Sequence, residues 1–516
     1  MSAKTIVPAA AGDKLRMGCS ERLARSAAAV LGVGTLLCMP HEGAAKEPAA
    51  QPNTPAMTLP TVRRGVVATS CSQAAVQAAI NAARDGDAVT VPAGSATWNT
   101  PVTIAGKAIT LQGAGMSKTI ITAATRHTQS PLAAIGVDGK PFRITGFTFN
   151  GARCQSGMVN ISGTCKNFRV DHCRISNDAS ESDNGRGIMT VGYTFGVIDH
   201  CVIIKSGGNS VQGVSVMGDG NASWERPITL GSSNAVYVED CIFNYGSMAD
   251  GAIDAYSGAR YVFRHNTLIN TCAGHHGLDS GGYRSPHSFE YYENTFMTDP
   301  NTYHGGAFHF RGGTGVVFDN TLTGYSGAIL LANYRSANAY PPWGMCDGKN
   351  PIDGNQDPSG YPCKDQVGRT TGQKLEPFYE WNNVLNGKHA EIKLNTNVGT
   401  NLMTRFRVQL HIKENRDYYN NTVKPGYVPY AYPHPLTLDP AGRQQATATP
   451  PSALSLDPHP QLAAQKRQQT MLLTHARFLL AEGEPETAGI LLQQLVARDA
   501  GTESAAQARE LLKAAK

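Results

Sequence analysis

VEDCIF (238–243), RHNTLI (264–269), YENTFM (292–297) and FDNTLT (318–323) are four copies of one phrase, and two earlier copies stand at VDHCRI (170–175) and VIDHCVI (197–203). Aligned, they place Cys173, Cys201, Cys241, Asn266, Asn294 and Asn320 in one column, with steps of 28, 40, 25, 28 and 26 residues. A period of that size marks a chain that winds into coils or stacks repeats. Each coil of a three-sheet helix of parallel strands needs about 20–29 residues, and the longer step leaves room for a loop. An asparagine column has a physical use in such a coil. Side-chain amides stacked about 4.8 Å apart bond from rung to rung and satisfy turn backbone that is out of reach of water. Cysteine fills the same inward place as a small apolar residue. Asn383 in EWNNVL (380–385) and Asn421 in YYNNTV (418–423) read as two further members.

Upstream, Ser72 to Asp85 (SQAAVQAAINAARD) has Val76, Ala79, Ile80 and Ala83 on one face, Ser72 as N-cap and Gly86 as terminator, which predicts an amphipathic helix. Short β segments follow at Ala88–Val91, Val102–Ile104 and Ile109–Gly113. A helix at that place would cap the first coil, whose backbone and apolar side chains are otherwise exposed. The expected fold is all-β: a right-handed three-sheet parallel β-helix with an N-terminal capping helix, over 71–438. A Pro/Ala/Gln/Thr-rich linker (439–461) and a small helical segment (462–516) come after it. In that tail Ala476, Leu480, Gly483, Ala488 and Leu492, followed by Ala505, Ala508 and Leu512, have the spacing of a tetratricopeptide-like helix pair. Such a pair cannot bury its apolar faces alone, so it docks on the β-helix or binds a protein partner.

The phrase VQAAINAARDGDAVTVPAG (76–94) resembles the entry segment of pectate-lyase-like β-helix proteins, and DGAIDAYSGARYVFRHN (250–266) resembles the pectate lyase pattern whose Asp-Gly-x-x-Asp pair supplies calcium ligands. The resemblance implies that the ladder lies between the second and third sheets and that substrate binds on the first. The strands of that first sheet align as GIMTVG (187–192), AIDAYS (252–257), GLDSGG (277–282), AFHFRG (307–312) and AILLAN (328–333). Period-two alternation then turns Met189, Ile253, Leu278, Phe308 and Ile329 inward and Thr190, Asp254, Asp279, His309 and Leu330 outward. Gly192, Tyr256, Gly281, Arg311 and Ala332 form the neighbouring outward column. Asp is a poor strand former and adjacent acids repel, so acids stacked there point to a site.

The resemblance implies that Asp250, Asp254 and Asp279 hold Ca²⁺ as hard oxygen ligands and that Arg311 binds a substrate carboxylate; no organic cofactor is implied. The family's proton-abstracting Arg would fall near Gly306, and a Lys expected further upstream is replaced by His275-His276. His309 is then the leading base, since imidazole titrates near working pH, with His275, His276, His304 and Tyr256 behind it. The expected activity is β-elimination on an acidic polysaccharide. A glycoside hydrolase would instead use Asp254 and Asp279 about 5 Å apart, a retaining separation. Gly274-His275-His276-Gly277 resembles the Gly-His-Gly of polygalacturonases, whose Asn-Thr-Asp and Asp-Asp motifs have no counterpart here. The third reading is a non-catalytic glycan-binding or cell-surface structural β-helix. Trp224 in the 219–227 loop, together with Tyr334, Arg335 and Trp343 at the start of a long insertion (336–377), would line a groove. Asp353, Asn355 and Asp357 have calcium-loop spacing, but Pro358 stands in place of the usual Gly.

Residues 1–45 read as a leader: Arg22 and Arg25, then the apolar run Ser26–Met39, then Gly43-Ala44-Ala45 for cleavage, with a possible start at Met17. The run is too short to span a membrane, and residues 46–70 read as a disordered linker. A secreted or periplasmic protein follows, in which Cys346 and Cys363 would be able to pair. The net charge of +5 on 516 residues, without a Lys/Arg block, argues against nucleic acid.

Overall fold

The structure, a computed structural model, describes residues 65–126, 128–151, 154–177, 185–205, 211–249, 251–277, 284–298, 306–332, 364–395, 408, 412–438 and 454–515. The chain winds as a parallel β-helix. One sheet has 12 strands, a second has 11, and the third face is built from a 6-stranded and a 4-stranded sheet. Apart from a terminal hairpin (Val384–Leu385 with Lys388–His389), every strand pair is parallel. Each coil contributes one strand to each face, and the apolar sides meet in a single core running from Ala68 to Tyr418.

The asparagine ladder lies at the turn between the 12-stranded and 11-stranded sheets. Asn266 Nδ2 donates to Asn294 Oδ1 (3.0 Å), Asn294 Nδ2 to Asn320 Oδ1 (2.9 Å) and Asn320 Nδ2 to Asn383 Oδ1 (2.8 Å). The three cysteines continue the column, joined to it by Cys241 N donating to Asn266 Oδ1 (3.0 Å). The preceding residue on each of these rungs has a left-handed backbone: His172, His200, Asp240, His265, Glu293, Asp319 and Asn382 all have φ between 47° and 56°. For a side chain with a Cβ that conformation costs about 1–2 kcal/mol, and the buried amide bonds offset it. Asn421 does not join the ladder. Tyr418 and Tyr419 pair with Phe378 and Tyr379, so Asn421 falls opposite Trp381 rather than Asn383.

The capping helix spans Gln73–Ala82, with Ser72 Oγ accepting from Ala75 N (3.3 Å), and ends three residues short of Asp85 because Ala83 is already extended. Its apolar face, Val76, Ala79 and Ile80, covers the first coil. The 12-stranded sheet begins within the stretch read as linker, because Gly65–Val67 pairs with Ala88–Thr90.

Two of the three outer faces are covered by the chain itself. On the 12-stranded sheet a buried file of ion pairs (Arg143–Asp171, Arg169–Asp199, Arg264–Glu239) lies partly under residues 427–437. Arg264 donates to Tyr430 O and Ala431 O (2.8 Å each), and His434 N donates to Glu239 Oε1 (2.8 Å). The 11-stranded sheet is covered by the tail helices Pro460–Ala481, Pro485–Arg498 and Glu503–Ala514. Leu472, Ala476 and Leu479 pack on Val202, Ile242 and Ile269, with ion pairs Arg174–Glu484 (2.9 Å) and Arg467–Asp319 (3.1 Å) at the edges. Phe478 meets the stacked rings of His172 and His200 edge-on. Among the described residues no helix is long and apolar enough to cross a membrane.

Candidate functional site

The third face carries the candidate residues, in a register that differs from the sequence alignment. Ile188, Val214 and Ile253 share one inward position, so Met189, Ser215 and Asp254 form the outward column. Met189, not Thr190, is therefore the neighbour of the Asp254 column. The next rung is not Gly277–Gly282. It is Ala273–Gly274, where Gly274 lies beside His309 and His276 N donates to Ala255 O (3.0 Å). The described strand on that rung is thus Ala273–Gly274, where the alignment had Gly277–Gly282. The chain also needs glycine at that rung, because a Cβ on Gly274 would come within 2.3 Å of His309 O. Asp250, Asp279, His304, Tyr334, Arg335 and Trp343 lie outside the described residues, as do Cys346 and Cys363. Cys272, just before this strand, is disulfide-bonded.

Alternation separates the two adjacent histidines. His275 turns into the core, stacked on Phe310 (centroids 5.1 Å apart), near Phe289 (4.8 Å), with Nδ1 hydrogen-bonded to Tyr261 OH (2.9 Å). Burial, and then Arg311, hold it well below the ordinary imidazole range, so it is a neutral core residue. His276 turns outward, and its Nδ1 lies 2.7 Å from Asp254 Oδ1. With a carboxylate as partner, Nδ1 carries the proton and Nε2 the lone pair.

Asp254 is held from the other side as well. Gln212 Nε2 donates to its Oδ2 (2.6 Å), Arg186 Nε donates to Gln212 Oε1 (3.0 Å), and Arg186 Nη2 donates to Tyr256 OH (3.1 Å). The Tyr256 ring meets His276 edge-on, with centroids 6.0 Å apart. Arg186, Gln212, Asp254, His276 and Tyr256 are thus one connected unit. Simple alternation would bury Arg186 and Gln212 together with Ile188 and Val214. The glycines in Arg186-Gly187 and Gln212-Gly213 break it: at Gly213 a Cβ would meet the Phe243 ring at 2.8 Å, so the backbone itself fills the corner. The usable signal is the repeated pattern Arg-Gly-Ile and Gln-Gly-Val, 26 residues apart.

His309 and Arg311 complete the face two rungs on, and Arg311 Nε donates to His275 O (3.0 Å). Burial first, then Arg311, His275 and His276, push His309 well below the ordinary imidazole range. That direction weakens His309 as a base, whereas His276 has a carboxylate at its Nδ1. Although they face outward, these residues are enclosed: exposure is 1% for Asp254, 4% for His276 and 0% for Arg311. In such a site charges act through a low effective dielectric.

Trp224 is not a groove wall. Its ring is 2% exposed, packs on His287 (4.6 Å) and lies under Arg284, with Nε1 donating to Ser285 O (2.9 Å). It anchors the short helix Asn221–Glu225. Arg369, at the end of the long insertion, is likewise buried, against Asp417. Of the three carboxylates assigned to calcium only Asp254 is described, and its neighbours are the N–H donors of Gln212 and His276 rather than the oxygens a hard cation takes. Among the described residues no three His, Cys, Asp or Glu side chains are grouped to hold a metal. The described half of the site therefore suits an anion better than a cation.

No family profile and no curated protein sequence matches the chain. Among solved structures, a pectin methylesterase in complex with a hexasaccharide is 10% identical over 43% of this chain and 84% of its own, with a TM-score of 0.28. The catalytic domain of a GH87 α-1,3-glucanase in complex with nigerose is 11% identical over 73% of this chain and 70% of its own, at 0.31. An alginate lyase from Paenibacillus sp. is 14% identical over 51% and 94%, at 0.19. Likenesses this distant add nothing to what the strand pairing establishes: the chain is a parallel β-helix with an Asp–His pair and two arginines on its third face.

Proposed function

We propose that the protein is a polysaccharide lyase that cleaves an acidic, uronate-containing chain by β-elimination. The observation that carries the reading is the Asp254–His276 pair at 2.7 Å, on a face that also presents Arg311 and Arg186. Asp254 fixes the ring of His276 and balances the charge it gains, so that Nε2 takes the proton next to the uronate carboxylate. Arg311 lies on the same face to neutralise that carboxylate, which stabilises the enolate-like species the abstraction leaves. The electron pair then forms the ring double bond and the glycosidic C–O bond breaks, with Tyr256 placed to protonate the departing oxygen. Neutral His309 serves as a hydrogen-bonding group. Each of these steps uses the chain's own residues and none is routed through calcium. The leader-like pattern of residues 1–45 supports a reaction outside the cytoplasm.

The test is incubation with a panel of uronans while the ultraviolet absorbance of unsaturated uronate ends is followed. Rising absorbance that disappears in His276→Gln and Asp254→Asn, with unchanged circular dichroism, supports the reading. New reducing ends without that absorbance would mean hydrolysis, and turnover that survives His276→Gln would remove the proposed base.

A further inference from the structure

A second site lies on a different face of the β-helix, where the tail meets the 11-stranded sheet. A trench of about 820 Å³ runs there between the helix Pro485–Arg498 and the strand ends. Its floor is one outward column in register, Asn244–Ile269–Met297–Thr323, four rungs long. One wall is the turn that follows, with Asn270, Thr298 and Asn386. The other is a single helix stripe, Ile490, Gln494 and Arg498, at successive i, i+4 positions. Gln494 and Arg498 are exposed, and neither side chain makes a hydrogen bond among the described residues.

We propose that this trench binds an extended oligosaccharide, independently of the catalytic face. Its floor is apolar in the middle and amide or hydroxyl at both ends, and its walls carry amides and one guanidinium. Sugar rings have the complementary pattern, with C–H faces to lay on Ile490, the exposed apolar side chain of the wall, and hydroxyl edges to bond amides, which both donate and accept, while Ile269 and Met297 form the buried base of the trench. Rungs repeat at about 4.8 Å, close to the length of one sugar residue in an extended chain, so successive residues would meet successive rungs. The trench owes its existence to tail docking: without the helix the floor is an open sheet face. That gives the C-terminal helices a function beyond covering apolar surface.

The test is calorimetric titration of the full-length protein, carrying Asp254→Asn to silence the first site, with hexasaccharides of a uronan and of a neutral glucan. Binding of either one, weakened about tenfold or more by Gln494→Ala with Arg498→Ala (the loss of two hydrogen bonds) and abolished by Ile490→Trp, supports the site. All three positions are solvent-facing on the helix, so the fold should survive, and circular dichroism checks it. No binding of either saccharide, or binding indifferent to these three substitutions, overturns the proposal; indifference to them with loss in Arg311→Ala returns the ligand to the first face. A trench that takes up a peptide but no saccharide would also overturn it.

Discussion

Truncating one rung of the ladder, Asn294→Ala, tests whether the asparagine column holds the coils together. Asn294 is 1% exposed and makes four bonds. Its Oδ1 accepts from Asn266 N and Asn266 Nδ2 (3.0 Å each), and its Nδ2 donates to Phe263 O (2.8 Å) and Asn320 Oδ1 (2.9 Å). After truncation Asn266 Nδ2 keeps Val238 O, and Asn320 Oδ1 keeps the backbone N–H of residue 294. The Asn266 backbone N–H keeps nothing. One orphaned buried donor and three lost bonds come to about 3–7 kcal/mol, a large share of a typical domain's stability. The control is Glu293→Ala in the same turn, where a partly buried ion pair with His265 (2.9 Å) is lost and the left-handed strain is unchanged; it should cost about 1–2 kcal/mol, well below the Asn294 loss. Urea unfolding followed by circular dichroism measures both. Equal costs for the two substitutions would refute the ladder argument.

Two further outcomes follow from buried charge. His475 in the tail bonds Thr267 Oγ1 (2.7 Å) and is pushed by burial down to about 3. Its contribution to docking is whole above the ordinary value of 6.5 and is lost as pH falls toward 3, because the undocked imidazole takes up the proton first. At about pH 4.5, two units below the ordinary value, the loss is about 3 kcal/mol, and His475→Gln should flatten that dependence in the urea midpoint of the helical signal. Arg264→Ala strips a fully buried Glu239 of its partner and should cost about 3–5 kcal/mol. Replacing both residues with Met should recover most of the loss in the same assay.

Much of the architecture was legible because a coil repeats. The column from Cys173 to Asn383 needs only a cysteine or an asparagine at one turn, and a recurring step reveals it without knowledge of what surrounds it. The end of the column was misread at Asn421 because Asn-Asn recurs there without the strand register that would align it. The tail was legible as helices, from their apolar spacing, but not the face they would cover.

The candidate site was half legible. Asp254, Tyr256 and Arg311 were found by alternation and lie together on one face. Alternation failed wherever the chain turns a corner on glycine. It misplaced Thr190, set Asp279 on a rung that belongs to Ala273–Gly274, and hid Arg186 and Gln212. Trp224 looked like a sugar platform because its burial depends on Arg284 and His287, about 60 residues away.

The sequence by itself determined the coil: local turn chemistry, the period of the ladder and the apolar strands are properties of neighbouring residues repeated many times. Only the tertiary structure decided which side chains meet. A strand's two faces differ by a single residue of register, so the contact of Asp254 with His276, and the inward turn of His275, were set by how one coil sits on the next.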